Sequence, residues 1–139
     1  MSNDVNDFNH AIIQEFREND GRLGGQFEAA PMLLLHSTGA KSGQERINPM
    51  MYQAVGENWA VFASKAGAPT NPDWYHNVVA NPDATIEVGT ETKPVRARVA
   101  TGDERSAIWT TQKERYSGFA DYERQTDREI PVVILEPTE

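Results

Sequence analysis

Two stretches of this chain place small and basic residues at spacings that suit an anion. Ser37-Thr38-Gly39-Ala40-Lys41-Ser42-Gly43 leads to Arg46, and Ala63-Ser64-Lys65-Ala66-Gly67-Ala68 leads to Asn71-Pro72-Asp73-Trp74. Small side chains let a ligand approach backbone N–H groups closely. A helix opening at Asn71-Pro72 would offer partial positive charge, and lysine and arginine would add counter-charge. The alternative is a pair of ordinary glycine-rich turns, and spacing alone leaves both open. Tyr116, Phe119 and Tyr122 fall at i, i+3 and i+6. That stripe is either a helix-packing face or an aromatic wall with two phenolic donors over an apolar ligand.

Other chemistries find no support. Cysteine is absent, which excludes disulfides, thiolate catalysis and Cys-ligated metals. A P-loop needs glycine where Ala40 and Leu35 stand. His10, His36 and His76 are scattered without metal-ligand spacing, so no metal site is expected; His36, at a strand end, reads as a structural hydrogen-bonding residue. Neither a G-x-S-x-G elbow nor a G-x-G-x-x-G fingerprint occurs.

The 139 residues are 38% hydrophobic and 24% charged, which suits one folded domain over 1–139. Net charge is −8, unevenly spread. Residues 36–71 carry Lys41, Arg46 and Lys65 against Glu45 and Glu57, while the rest is strongly acidic. An acidic exterior argues against nucleic acid and anionic membranes as partners. The longest apolar stretch is too short to span a bilayer, and no basic leader precedes it, so a cytoplasmic location is expected.

Val5, Phe8, Ile12 and Phe16 mark a helix over about 4–18, ended by Gly21 and Gly24-Gly25. Met32 to His36 reads as a buried strand, and Met50 to Val55 with Trp59 to Ala63 as a hairpin. Asn71 is the expected N-cap of a short helix with Pro72 at its first position, Trp74 and Val78 facing inward and Pro82 stopping it. Thr85 to Val88 and Val95 to Val99 suit another antiparallel pair. Thr101 and Glu104 form a capping-box pattern for a helix to about Arg115, and Ile130 to Leu135 closes the chain as a strand. The sum is an α+β fold of about six mostly antiparallel strands and three helices.

Three segments together resemble the deazaflavin-dependent nitroreductase and quinone reductase family. They are Leu34 to Pro49, Ala63 to Ala68 with Asn71 to Asn77, and Tyr122 through Thr126-Asp127-Arg128 to Val133. The likeness divides the chain into an N-terminal helix and loop, 1–23, and a deazaflavin-binding region, 24–137. It implies a split β-barrel that binds coenzyme F420, whose tail carries a phosphate and oligoglutamate. It also implies hydride transfer to a quinone, nitro compound or activated enone in an actinobacterial cytoplasm. By position, Ala40, Lys41, Ser42, Arg46, Ile47, Asn48, Pro49 and Met50 would lie along the phosphate side. Phe62, Ala63, Ser64, Lys65, Trp74, Tyr75 and Asn77 would flank tail and ring. Ser64, Tyr122 and Tyr116 are the candidate hydroxyl donors to the reacting groups. Met51 and Phe119 stand where some nitroimidazole-reducing members carry tyrosine, which favours quinones or enones. The acidic first helix suits at most transient contact with membrane quinone, and a monomer or weak homo-oligomer is expected. An FMN-dependent split-barrel oxidoreductase and a non-enzymatic carrier of deazaflavin or lipid are the competing readings.

Overall fold

A computed structural model of the chain describes residues 4–19, 31–64 and 70–138, with side chains of the first helix from Ala11 onward. The elements are α1 (Asp4–Glu18), β1 (Met32–Thr38), β2 (Glu45–Val55), β3 (Asn58–Phe62), α2 (Asp73–Ala80), β4 (Asp83–Val88), β5 (Glu91–Val99), α3 (Gly102–Arg115), α4 (Gly118–Gln125) and β6 (Val132–Pro137). The strands close a barrel in the order β1-β2-β3-β6-β5-β4, and every pairing is antiparallel. Among the described residues no helix is long and apolar enough to cross a membrane.

Alternation along the strands produces three apolar clusters. Leu33 and Leu35 of β1 point into the barrel with Val61, Ile86, Val95, Val133 and Leu135, and Trp74 and Val78 of α2 join this interior cluster. Met32 and Leu34 face outward beneath Ile12, Ile13 and Phe16 of α1. On the opposite wall Ala60, Phe62, Val132 and Ile134 face outward beneath Ile108 and Trp109 of α3. Because both faces of β1 and β6 are covered, those strands read as continuous apolar runs rather than alternating ones. Full burial of each such leucine or isoleucine contributes about 1.5–3 kcal/mol.

Several sequence expectations are corrected. Among the described residues four helices form, not three: Tyr116 closes α3 through its N–H to Gln112 O, and Phe119 and Tyr122 then fall on the separate helix α4. Strand β2 starts at Glu45, five residues before Met50, and runs through Pro49. Over Glu45–Met51 it pairs only with β1, and β3 joins it from Tyr52. Since Tyr52 N–H points toward β1, at Pro31 O, the missing N–H of Pro49 falls on the unpaired side, where it costs no ladder bond. The N-cap of α2 is Pro72, not Asn71, and neither Pro72 nor the Thr101 cap of α3 makes a side-chain capping bond. Asn71 is drawn off by Arg128, and Glu104 by Arg98 at 2.6 and 2.9 Å. The Gly21 and Gly24-Gly25 helix stop lies outside the described residues.

An ion network fastens α1 to the barrel. Arg17 donates two bonds, of 3.1 and 2.7 Å, to Glu87 on β4. His36 stands between Glu87 and Glu45, its ring nitrogens 2.5 and 3.2 Å from their carboxylates. The Arg17 guanidinium, helped by His36, holds the Glu87 carboxyl below its ordinary range. A depressed carboxyl pKa stabilises the fold above the unfolded value and loses that stabilisation as pH falls through the folded one. Glu87→Gln should therefore melt below the parent at pH 7, and the gap should close as pH falls below about 4. Thermal melts across pH check this; a gap independent of pH would contradict it.

Candidate functional site

The β1–β2 turn is folded tightly by its own backbone. Gly39 N–H donates to Gln44 O at 2.8 Å and Gly43 N–H to Gly39 O at 3.0 Å, while Ser42 Oγ accepts from Gln44 N–H at 3.2 Å. A Cβ on Gly39 would lie 2.5 Å from Ser42 Oγ and 3.3 Å from Gln44 O, and Gly43 has φ +71°, so both glycines are required. Asn77 of α2 anchors this turn from the side: its Oδ1 accepts from Ala40 N–H at 3.0 Å, and its Nδ2 donates to Ser37 Oγ at 3.5 Å. The N–H groups of Lys41 and Ser42 are left without partners among the described residues.

Beside this turn opens a groove of about 1100 Å³. Ala40, Lys41, Ser42, Arg46, Ile47, Asn48 and Asn77, all expected near the cofactor, line it. Gly39 and Asp73, which belong to the two stretches that suit an anion, complete its wall with Glu45, His76 and Ile13, which have no site role in the sequence analysis. Asp73, His76 and Asn77 stand at i, i+3 and i+4, the polar face of a helix whose Trp74 and Val78 plug the barrel; that periodicity was the available signal. Ile13 carries no such signal, since only the tertiary docking of α1 brings it there.

Charge at the groove is distinctive. Of the described lysines and arginines, only Lys41, Arg46 and Arg115 lack an ion pair or side-chain hydrogen bond among the described residues. Two of these three are on the groove. Glu45, next to Arg46, is paired with His36 instead.

The remaining expected site residues lie elsewhere. Ala63 and Trp74 belong to the interior cluster, with Met50 and Tyr75 packed against it. Pro49, opposite Leu34, is on the outer side of β2 with Ile47. Phe62 faces outward under α3 and α4, its ring 5.9 Å from Trp109 and 5.5 Å from Phe119. Tyr122 packs edge-on against Phe119 at 5.5 Å, and Tyr116 is the C-cap of α3. Phe119 and Tyr122 thus pack on the cluster beneath α3, and neither tyrosine lines the groove. Met51, also outward, takes a bond from Gln112 Nε2 at 3.3 Å. Ser64 lies two residues past the end of β3 and is half-buried, whereas Lys65 lies outside the described residues. Arg128, quoted in the resemblance but given no role there, donates to Asn71 Oδ1 at 2.6 Å and to Ser64 O at 2.9 Å.

The family model for F420H(2)-dependent quinone reductases matches residues 10–137. The chain belongs to that family. An F420H(2)-dependent quinone reductase of Mycobacterium tuberculosis is 40% identical over 124 residues, covering 86% of this chain and 83% of that protein. A shorter protein of the same organism is 41% identical over 117 residues, covering 84% of this chain and 98% of its own. The solved structure of an F420-H2 dependent reductase, FDR-A, superposes with TM-score 0.70 at 42% identity, over 76% of this chain and 94% of that one. A structure described as a domain-swapped dimer reaches TM-score 0.72 at 37% identity, over 95% and 96%. HutZ, a haem storage protein of Vibrio cholerae, shares the fold at 17% identity and TM-score 0.61. The split-barrel expectation is met. The family's cofactor is reduced coenzyme F420, and the residues present fit its anionic tail: two cations and two backbone N–H groups without partners among the described residues belong to the lining of one open groove, which also carries Glu45 and Asp73.

Proposed function

We propose that this protein reduces quinones with reduced F420, holding the cofactor's phosphate and oligoglutamate at the groove beside the β1–β2 turn. The observation that carries this reading is the pair of unpaired cations, Lys41 and Arg46, on the groove of a chain with net charge −8. When bound, the reduced deazaflavin supplies the hydride; position and electrostatics come from the protein. Lys41, Arg46 and Lys65 neutralise the tail, with the N–H groups of Lys41 and Ser42 as further donors. Asn77, whose carboxamide already holds Ala40 and Ser37, shapes the turn rather than gripping the cofactor. Trp74, Tyr75, Ala63 and Met50, which belong to the barrel's interior cluster or pack against it, form the apolar support for the ring. Ser64, Tyr122 and Tyr116 have hydroxyls without partners among the described residues, so each can donate to an acceptor oxygen that becomes negative on reduction.

Activated enones share that developing oxyanion and are expected as secondary acceptors. Nitroimidazoles are expected to be poor ones, since Met51 and Phe119 offer no hydroxyl and are packed against neighbouring side chains. Homodimerisation is the assembly we expect to find by sedimentation, in line with the domain-swapped relative. Single-turnover mixing of protein-bound reduced F420 with menadione tests the activity. Oxidation much faster than in free solution is expected; no acceleration would leave a carrier, and preference for FMN would replace the cofactor.

A further inference from the structure

We infer that Arg128 is a positioning residue of this site, clamping the end of β3 to the start of α2 so that Ser64 and the α2 wall of the groove keep a fixed relation. The inference rests on the proposed function and extends it to a residue outside the groove. One guanidinium reaches both elements: Nη2 donates to Ser64 O at 2.9 Å and Nη1 to Asn71 Oδ1 at 2.6 Å. These acceptors are far apart in sequence from Arg128, which sits before β6, and its own N–H is turned by Thr126 Oγ1 at 3.4 Å. Burial lowers the pKa of Arg128, as for a cation held away from water.

The consequence follows from how α2 is otherwise held. Asn77 ties the helix to Ala40 and Ser37, and Asn81, just past its end, donates to Thr38 O at 3.4 Å. Both of these hydrogen-bonded anchors lie toward its C-terminal end, while Trp74 packs into the barrel near its start. At its start Pro72 gives no side-chain cap, and Asn71 is bound by Arg128 instead. Eight helical residues span about 12 Å, so a small tilt about the Asn77–Asn81 end moves Asp73 and Trp74 most. Asp73 is on the groove and Trp74 in the barrel plug. Without Arg128 that end of α2 and the Ser64 backbone lose their shared tether. A misplacement of about 1 Å in a catalytic arrangement can cost about 100-fold in rate.

Arg128→Met, Arg128→Lys and Asn71→Ala test this, with menadione turnover, F420 affinity by fluorescence, and amide hydrogen exchange in the protein without cofactor. In Arg128→Met we expect kcat to fall by about 10- to 100-fold. Affinity should change far less, because Lys41 and Arg46 are on β2 and its turn. Exchange should quicken by about 10-fold or more in the first turn of α2, beyond any change in β4 and β5. Lysine, able to satisfy one acceptor but not both in fork geometry, should restore only part of the rate. Adding Asn71→Ala to Arg128→Met should cost nothing further, since the two act through one bond. Parental kcat and unchanged α2 exchange in Arg128→Met, or in Asn71→Ala if the former fails to fold, would overturn the role. Uniformly faster exchange with parental kcat would reduce Arg128 to a fold stabiliser and also overturn it. A parent that cannot oxidise reduced F420 would instead overturn the function on which the inference rests.

Discussion

Arg46→Ala is expected to raise the dissociation constant for F420 by about 10- to 150-fold, the cost of a hydrogen bond to a charged group. Arg46 sits on β2 opposite Ser37, exposed at the groove and without an ion pair, although Glu45 is its immediate neighbour. Alternation sends the two side chains to opposite faces of the strand, and His36 holds Glu45 on its own face. The cation is therefore free for a ligand. Arg46→Lys should recover part of the loss only, because an ammonium cannot grip phosphate with two parallel donors. Turnover at saturating cofactor should stay near parental, since the interaction binds ground state and transition state alike. Lys41→Ala should weaken binding less and with steeper salt dependence, as an exposed charge is screened within about 8–10 Å, and the same pattern is expected of Lys65→Ala. Titrations at two ionic strengths check all four variants; unchanged affinity in Arg46→Ala would show that the groove does not hold the tail.

The second large effect runs the other way. Ser64→Ala should lower kcat for menadione by about 100- to 1000-fold, or about 2.7–4 kcal/mol, while F420 affinity changes little. Ser64 is half-buried, its hydroxyl has no partner among the described residues, and its carbonyl is fixed by Arg128. A preoriented donor of this kind stabilises charge that appears only on reduction, which is why the loss falls on kcat. Tyr122→Phe and Tyr116→Phe should have smaller effects, because Tyr122 packs against Phe119 and neither tyrosine lines the groove. Steady-state kinetics of the three variants decide this: Ser64→Ala and Tyr122→Phe both at the parental rate would end the hydroxyl-donor reading.

How far the sequence carried the site depends on the range of the interactions involved. The turn Gly39 to Gly43 was readable because glycine and small residues impose it locally, and the groove forms around it. The apolar runs of β1 and β6 announced buried strands, but not the pairings β1–β4 and β3–β6 that close the barrel, which join distant segments. Caps failed for one reason: Asn71 and Glu104 each met an arginine that outcompeted the helix end. Tyr116, Phe119 and Tyr122 carry a packing and a functional reading in the sequence, and only the ring contacts of Phe119 with Phe62, Trp109 and Tyr122 show packing for the last two. Arg128 was visible in a motif yet its role was not, because both of its acceptors come from other parts of the chain.

The central claim is that the unpaired cations at the β1–β2 turn recognise the anionic tail of F420. Its most direct test is equilibrium binding of F420, of the same deazaflavin lacking the phosphate and oligoglutamate, and of FMN to the unmodified chain. Binding of F420 at least about 10-fold tighter than the tail-less chromophore, with the gap shrinking at high salt, is the predicted result. Equal affinity for the two deazaflavins, or tighter binding of FMN than of F420, would contradict it.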